Sequence, residues 1–468
     1  MGKHKELGVD KNGVQKVLRG YDYLADMLGQ FGLALIGNLV GQLTYFYTDK
    51  VGLAVGGVGI AMGIAKVIDA VTDIWFGNVV EQSKGGNEKY YKWMKRMMIP
   101  TAITVILLFT VPKDISQVAS FAYVTITNIL LTAVFYTLIS TPFAATIVVR
   151  TKSLDERSNL GIFRAIGSYI SGIIMAIAII PITNALGGTQ NAWIKFGFII
   201  ALVVLLSLLI CSINGNKAVM KVAEYKTEEK EEEKVTFKEA AKMLFASKYW
   251  VIVLLFNIIT SVTNAISASA NTYYCKWIFG NDNLVALVGG LGLLGTVIGF
   301  GISKPIIEKL GVKGAIDFGL LGTIGAMIIR CIAPSNIVMY VATGIVSSVM
   351  MMPLMCLYGV LLGMAVDYNE YKYDKKLVAI SSGAIGFGSK VGSGIGSVIL
   401  SIFLVLGAYD ASLQVATTSM RYSIYGFANI FPIFINLLMY LIFRGFDLED
   451  KLPQMKEEVE KRRMNSEA

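Results

Sequence analysis

Apolar stretches about 20 residues long, enough to cross a bilayer as a helix, recur along nearly the whole chain between short polar turns. They fall near residues 24–47, 53–80, 97–112, 116–147, 160–185 and 192–214, then near 249–275, 284–307, 314–333, 336–363, 378–406 and 422–444. The pattern predicts an all-α membrane protein of about twelve transmembrane helices. Between the sixth and seventh stretches it breaks into NKAVMKVAEYKTEEKEEEKVTFKEAAKMLFASKYW. The expected division is an N-terminal six-helix half over 1–215, a charged cytoplasmic connector over 216–248, a C-terminal six-helix half over 249–446 and a cytoplasmic tail over 447–468. Thr236 and Glu239 fit a capping box, which predicts a short helix in the connector, lying along the membrane surface. The Glu-Lys run before it reads as a solvated tether.

The two halves echo one another. YFYTDKVGLAVGGVGIAMG runs from Tyr45 to Gly63, and YYCKWIFGNDNLVALVGGLGLLG from Tyr273 to Gly295. Each reads as the outer end of an odd-numbered span, a tight polar turn, and a Gly-rich even-numbered span. Parallel six-helix repeats are the pattern of major facilitator transporters, whose substrate site lies between the halves near mid-membrane. Gly290, Gly292 and Gly295 match a dinucleotide fingerprint but lack the strand it requires. Close helix packing explains them better, as it does Gly37 with Gly41 and Gly295 with Gly299.

Only 16% of the 468 residues are charged and 54% are hydrophobic, against roughly a quarter charged in soluble domains. The net charge of +9 follows membrane topology, not a phosphate-binding stripe. Alternate connections carry the basic residues: Lys84, Lys89, Lys92, Lys95 and Arg96; Arg150, Lys152, Arg157 and Arg164; Lys304 and Lys309; Lys372, Lys375 and Lys376. The positive-inside rule then puts both termini in the cytoplasm. The polar stretch Met1 to Arg19 lacks a cleavable apolar core, so no removable leader is expected and the first span is expected to direct insertion into the inner (plasma) membrane. Cys211, Cys275, Cys331 and Cys356 stand singly in spans, as small core residues. His4 is the only histidine, which excludes histidine acid-base chemistry within the membrane. With no nucleophile-base pair and no metal cluster in the spans, an enzyme is not expected, nor is a cofactor.

Ionised side chains deep in hydrocarbon cost several kcal/mol, so those that persist point to function. In span two Lys66, Asp69 and Asp73 are spaced three and then four residues apart, on one helical face. Two carboxylates one turn apart repel unless a cation or proton sits between them. Lys390, in FGSKVGSGIGS of span eleven, is the expected counter-charge across a central cavity. In span four Tyr136, Thr137 and Ser140 precede Pro142, which must kink or end a helical turn and free carbonyls. Those carbonyls and hydroxyls are natural cation ligands, although hydroxyls bonded to their own helix explain the same residues. Gln30, Asn38 and Gln42 of span one suit either a sugar pathway or polar contacts between helices.

The chain resembles the glycoside-pentoside-hexuronide:cation symporters. The resemblance rests on YFYTDKVGL, KVIDAVTD, YTLISTPF, VDYNEYK and GSK, in that order along nearly the whole chain. It implies a major facilitator fold, with Asp69, Asp73 and Thr137 binding sodium, lithium or a proton. Lys390 would couple to those carboxylates, with Lys66 beside them, and Arg164 in FRAIG would match a sugar-site arginine. Leu33, Ser140 and Ala144 stand where the melibiose-carrying member has two sugar-binding aspartates and a tryptophan. The cation machinery is thus expected to be kept and the sugar contacts altered, with Ser140, Asn38 and Arg164 as substrate-binding candidates.

The expected function is symport of a sugar or glycoside (oligosaccharide, pentoside or hexuronide) with sodium or a proton, by alternating access and as a monomer in the bilayer. Asp367, Glu370 and Lys372 in VDYNEYK are candidate cytoplasmic gate charges, or ordinary interface charges. The alternatives are a non-sugar solute such as an amphiphile on the same fold, and a transporter-like sugar sensor.

Overall fold

The computed structural model describes residues 7–9, 14–151, 153–222, 237–373 and 378–467. His4, Lys152, Thr236, Lys375 and Lys376, all invoked above, lie outside them. Among the described residues ten helices are long and apolar enough to cross a membrane. One of the ten, Leu284–Ile332, has 49 residues, which at 1.5 Å per residue is more than twice the thickness of a bilayer core. Gly311, at φ 71° and ψ −177°, breaks it into spans eight and nine. Lys89–Leu107 is the remaining span, its apolar character diluted by Lys89, Lys92, Lys95 and Arg96 in its first turns. Twelve spans result, as the hydropathic pattern predicts.

Two compact units divide the chain, Met1–Lys230 and Glu231–Ala468. The first holds span one (Gly20–Gly41, prolonged by Leu43–Tyr45 and a wide π turn Phe46–Lys50), span two (Val55–Gln82) and span three. Span four follows as Gln117–Asn128, a π-helical stretch Ile129–Tyr136 and Thr137–Arg150. Spans five (Leu154–Ala185) and six (Gln190–Val222) complete it. The second unit holds a short helix Phe237–Phe245, span seven (Lys248–Trp277), spans eight and nine, span ten (Ile337–Tyr373) and span eleven (Val378–Leu406). Span twelve runs through Thr418–Tyr425, Gly426–Ile430 and Phe431–Phe443.

The internal echo has a structural counterpart. Tyr45 and Tyr273 are both fully buried, and seven residues after each comes a glycine with positive φ, Gly52 at 80° and Gly280 at 75°. Each supplies the left-handed residue that a tight turn needs and a side chain resists.

Small residues set how closely the spans approach. On span eleven a Cβ at Gly392 would lie 2.4 Å from the Ile258 carbonyl oxygen, and one at Gly396 2.6 Å from that of Val262. Spans seven and eleven therefore pack backbone against backbone. Gly295 and Gly299 serve spans eight and ten in the same way, as expected. Gly37 does not, because a Cβ there meets nothing within 4 Å. Cys211 and Cys275 are buried, whereas Cys331 and Cys356 are exposed on their helices and not the core residues expected.

The tail expected beyond 447 is helical over Leu448–Glu467. Its Glu449 carboxylate accepts from the backbone N–H groups of Val312 (2.8 Å) and Lys313 (3.1 Å), just after the Gly311 break. Arg462 donates to the Tyr371 carbonyl at the end of span ten (3.0 Å).

Gly392→Ala is expected to force spans seven and eleven apart at a cost of about 1–3 kcal/mol, read as a lower melting temperature in detergent. Gly386→Ala, on the same helix with nothing within 4 Å, is the control and leaves the melting temperature unchanged or higher. Equal melting of the two variants would refute the close-approach account.

Candidate functional site

Span two separates two environments along one helix. Ile60, Ile64, Val67, Val71 and Trp75 are exposed and recur every three or four residues as a single stripe. Lys66, Asp69 and Asp73 occupy the opposite side. Asp69 is 3% exposed, and Lys66 Nζ lies 3.6 Å from its Oδ2. Neither acid is an anchor at a helix end, because the helix continues to Gln82.

Span four brings the third oxygen. The Thr137 hydroxyl, fully buried, donates to Asp73 Oδ1 at 2.7 Å and lies 3.5 Å from Asp69 Oδ1. It also lies 3.1 Å from the carbonyl of Thr132, five residues back, where the π-helical stretch gives way to α-helix. A hydroxyl has one proton and two lone pairs. When its proton serves a carbonyl, its oxygen joins two carboxylates as a third hard ligand suited to an alkali cation or a shared proton. Pro142 lies inside the continuing helix Thr137–Arg150 and does not end it. The irregular geometry precedes Thr137 instead.

The other candidates are placed elsewhere. Ser140, half-buried, is one turn beyond Thr137. Asn38 is exposed and its Nδ2 donates to Ser171 (3.2 Å), while Gln30 donates to Ser168 (2.9 Å). Both bonds join spans one and five. Lys390 is half-buried at mid-span in the second unit, after Ser389, whose hydroxyl is 2.9 Å from that of Ser261. Asp367 and Glu370 are half-buried in the last turns of span ten, and Lys372 lies 5.2 Å from the Tyr373 ring centre. Asn369 between them is buried, with neither side-chain polar atom bonded among the described residues.

Arg164 belongs to a cluster that spacing along the chain does not reveal. Asp26 of span one is completely buried between two guanidinium groups, Arg164 Nε at 2.6 Å and Arg150 Nη1 at 2.7 Å. Arg164 also donates to Thr146 (2.8 Å) and lies 3.7 Å over the Phe143 ring. Asn214 of span six joins Arg150 (3.0 Å) to Asp22 (2.9 Å). Glu156, buried, accepts from the backbone N–H groups of Val17 and Leu18 (3.0 and 2.8 Å). The one sequence signal was Asp22 and Asp26, four apart at the start of an apolar span.

A family model described as MFS/sugar transport protein matches residues 27–450. The "Uncharacterized symporter YnaJ" of Bacillus subtilis (strain 168) is 25% identical over 93% of both chains. The isoprimeverose transporter of Lactiplantibacillus pentosus is 25% identical over 82% of this chain and 80% of its own. In fold, the chain is similar to a crystal structure of a bacterial homologue of the human lysosomal transporter Spinster, inward-facing and unoccupied. That likeness has a TM-score of 0.66 at 13% identity and covers 93% of this chain and 99% of the other.

Asp26→Asn is expected to cost about 3–5 kcal/mol, since it leaves two buried guanidinium groups without their carboxylate. Thermal melting in detergent measures it, beside Asp22→Asn as the milder change. A loss at Asp26 no larger than at Asp22 would show that the cluster does not rest on Asp26.

Proposed function

We propose a function from one premise: the chain belongs to the MFS/sugar transport family, whose model matches residues 27–450. It is a sugar-type transporter of the major facilitator fold, a multi-pass protein of the inner membrane and not an enzyme. Within that class we assign it cation-coupled symport of a sugar or glycoside by alternating access. The solute is an oligosaccharide, pentoside or hexuronide, and the ion is sodium, lithium or a proton.

The observation that carries this reading is Thr137 set against Asp69 and Asp73 on the inward side of span two. A cation entering among these oxygens relieves carboxylate repulsion and frees Lys66 and Lys390, which serve as counter-charges in its absence. Ser140, one turn along span four, and Arg164 are the substrate-side candidates; a solute hydroxyl or acid reaches Arg164 by competing with Asp26. Sugar and cation then each raise the other's affinity by the same factor. The six-helix halves, 1–215 and 249–446, rock while Asp367, Glu370 and Lys372 hold and release the cytoplasmic side.

In proteoliposomes an inward sodium or proton gradient is expected to drive uptake of labelled solute. Asp73→Cys abolishes that stimulation. Thr137→Ala removes a hydrogen bond to a charged group, worth about 1.5–3 kcal/mol, and so weakens half-saturation by the cation roughly tenfold or more. Gradient-driven uptake that survives in Asp73→Cys would sink the coupling scheme.

A further inference from the structure

The second unit contains a buried arginine treated differently from those of the first. Arg330, near the end of span nine, is 7% exposed. Its Nε donates to Thr343 Oγ1 (3.0 Å), and its guanidinium lies 4.4 Å over the Tyr340 ring. Among the described residues no carboxylate lies within ion-pairing distance of it, and neither Nη group makes a hydrogen bond. Arg150 and Arg164, buried to a similar degree, share Asp26. Removing a charge from water without a partner is unfavourable, and the first unit provides a carboxylate from within, whereas no described residue of the second unit does so for Arg330.

Arg330 lines a cavity of about 220 Å³ within the second unit, walled by spans seven, eight, nine, ten and twelve. The other polar groups there are hydroxyls and an amide, all able to donate. Tyr340 donates its hydroxyl to Asn271 Oδ1 (2.8 Å), which turns the amide nitrogen of Asn271 into an available donor. Ser347, 9% exposed, has a buried hydroxyl with no partner among the described residues. Thr263, Ser267 and Ser348 add hydroxyls, and the lining includes no acidic residue. A fixed positive charge, an amide N–H and the unpaired hydroxyl of Ser347, with no acidic residue in the lining, select an anion with oxygen acceptors. The guanidinium fork suits the planar or tripodal oxygens of such a group. The volume lies below the range of about 300–1000 Å³ that encloses drug-sized ligands, so the occupant is small.

We infer that this cavity receives the carboxylate or sulfonate of a small hydroxylated acid, with Arg330 as the charge that recognises it and Asn271 and Ser347 as supporting donors. The inference takes from the transport reading only the hydroxylated nature of the solute. Binding at equilibrium tests it without an ion gradient, so coupling and acid recognition fail separately.

Purified protein in chloride-free detergent buffer is titrated with glucuronate, with a sulfonated hexose, with glucose and with sodium chloride, following the melting temperature. Glucuronate or the sulfonate is expected to raise it in a saturable way, and glucose is not. Arg330→Gln should weaken the acid's half-saturation at least tenfold, with Arg330→Lys intermediate. Asn271→Ala and Ser347→Ala, which keep the charge, should weaken it severalfold and serve if Arg330→Gln does not fold. The inference is overturned by equal shifts from glucose and glucuronate, by no shift from either acid, or by acid shifts that survive in all the variants. Chloride alone reproducing the acid's full shift would also overturn it, as a free-anion site.

Discussion

A charge inside a membrane protein persists only where something of opposite sign or a set of dipoles comes to it, and this constraint organises both units. Asp26 meets it in a fixed way, lying between two guanidinium groups that are themselves buried, in contacts of 2.6 and 2.7 Å. Asp69 and Asp73 meet it in an adaptable way, with a hydroxyl between them and an ammonium at 3.6 Å from the first. Fork-like guanidinium bonds are short and directional, whereas a hydroxyl rotates and an ammonium on a flexible stem moves. The first arrangement ties spans one, four, five and six together. The second can admit a further positive charge without dismantling a helix contact.

Placing those charges falls to weaker features of the chain. The exposed stripe of span two forces its acids inward, since turning them outward would bury Trp75 and four aliphatic residues and put carboxylates against lipid. Span four must then present an oxygen at the same depth. The wider π-helical turns before Thr137 shift the phase of the helix there, as such turns do where a regular α-helix would aim a side chain differently. Glycines on span eleven set the distance at which spans seven and eleven pack. None of these devices carries charge, yet each determines where charge can sit.

Much of this was legible in the sequence because the relevant periods are short. Twelve apolar stretches, the Lys66, Asp69 and Asp73 face and the glycine-rich spans follow from spacing within single helices. The pairing of Thr137 with the acids came through family resemblance, since 64 residues separate it from Asp73. Asp26 was not singled out: its partners lie 124 and 138 residues away, and Arg150 looked like one more inside-facing positive charge. Arg330 was likewise not singled out, a single basic residue close to the end of its span. Gly37 and Gly295 have the same spacing to a second glycine, but only the latter meets a neighbour. The C-terminal helix has too little apolar character to announce itself and is held through Glu449 and Arg462.

The two halves need not divide their labour equally. A coupling energy between ligands arises only from contacts that differ between conformations, and a fully satisfied ion cluster such as Asp26 with its arginines resists change. Groups with spare bonding capacity have more to gain from a ligand: a hydroxyl that can redirect its proton, or a guanidinium that lines a cavity with its Nη groups unbonded among the described residues. The first unit offers the former at Thr137, and the second offers the latter at Arg330. One centres on two carboxylates and suits a cation; the other centres on a guanidinium, with no acidic residue in its lining, and suits an anion. Under the proposals above, the first of these groups would serve the positive ion and the second the acid group of the solute.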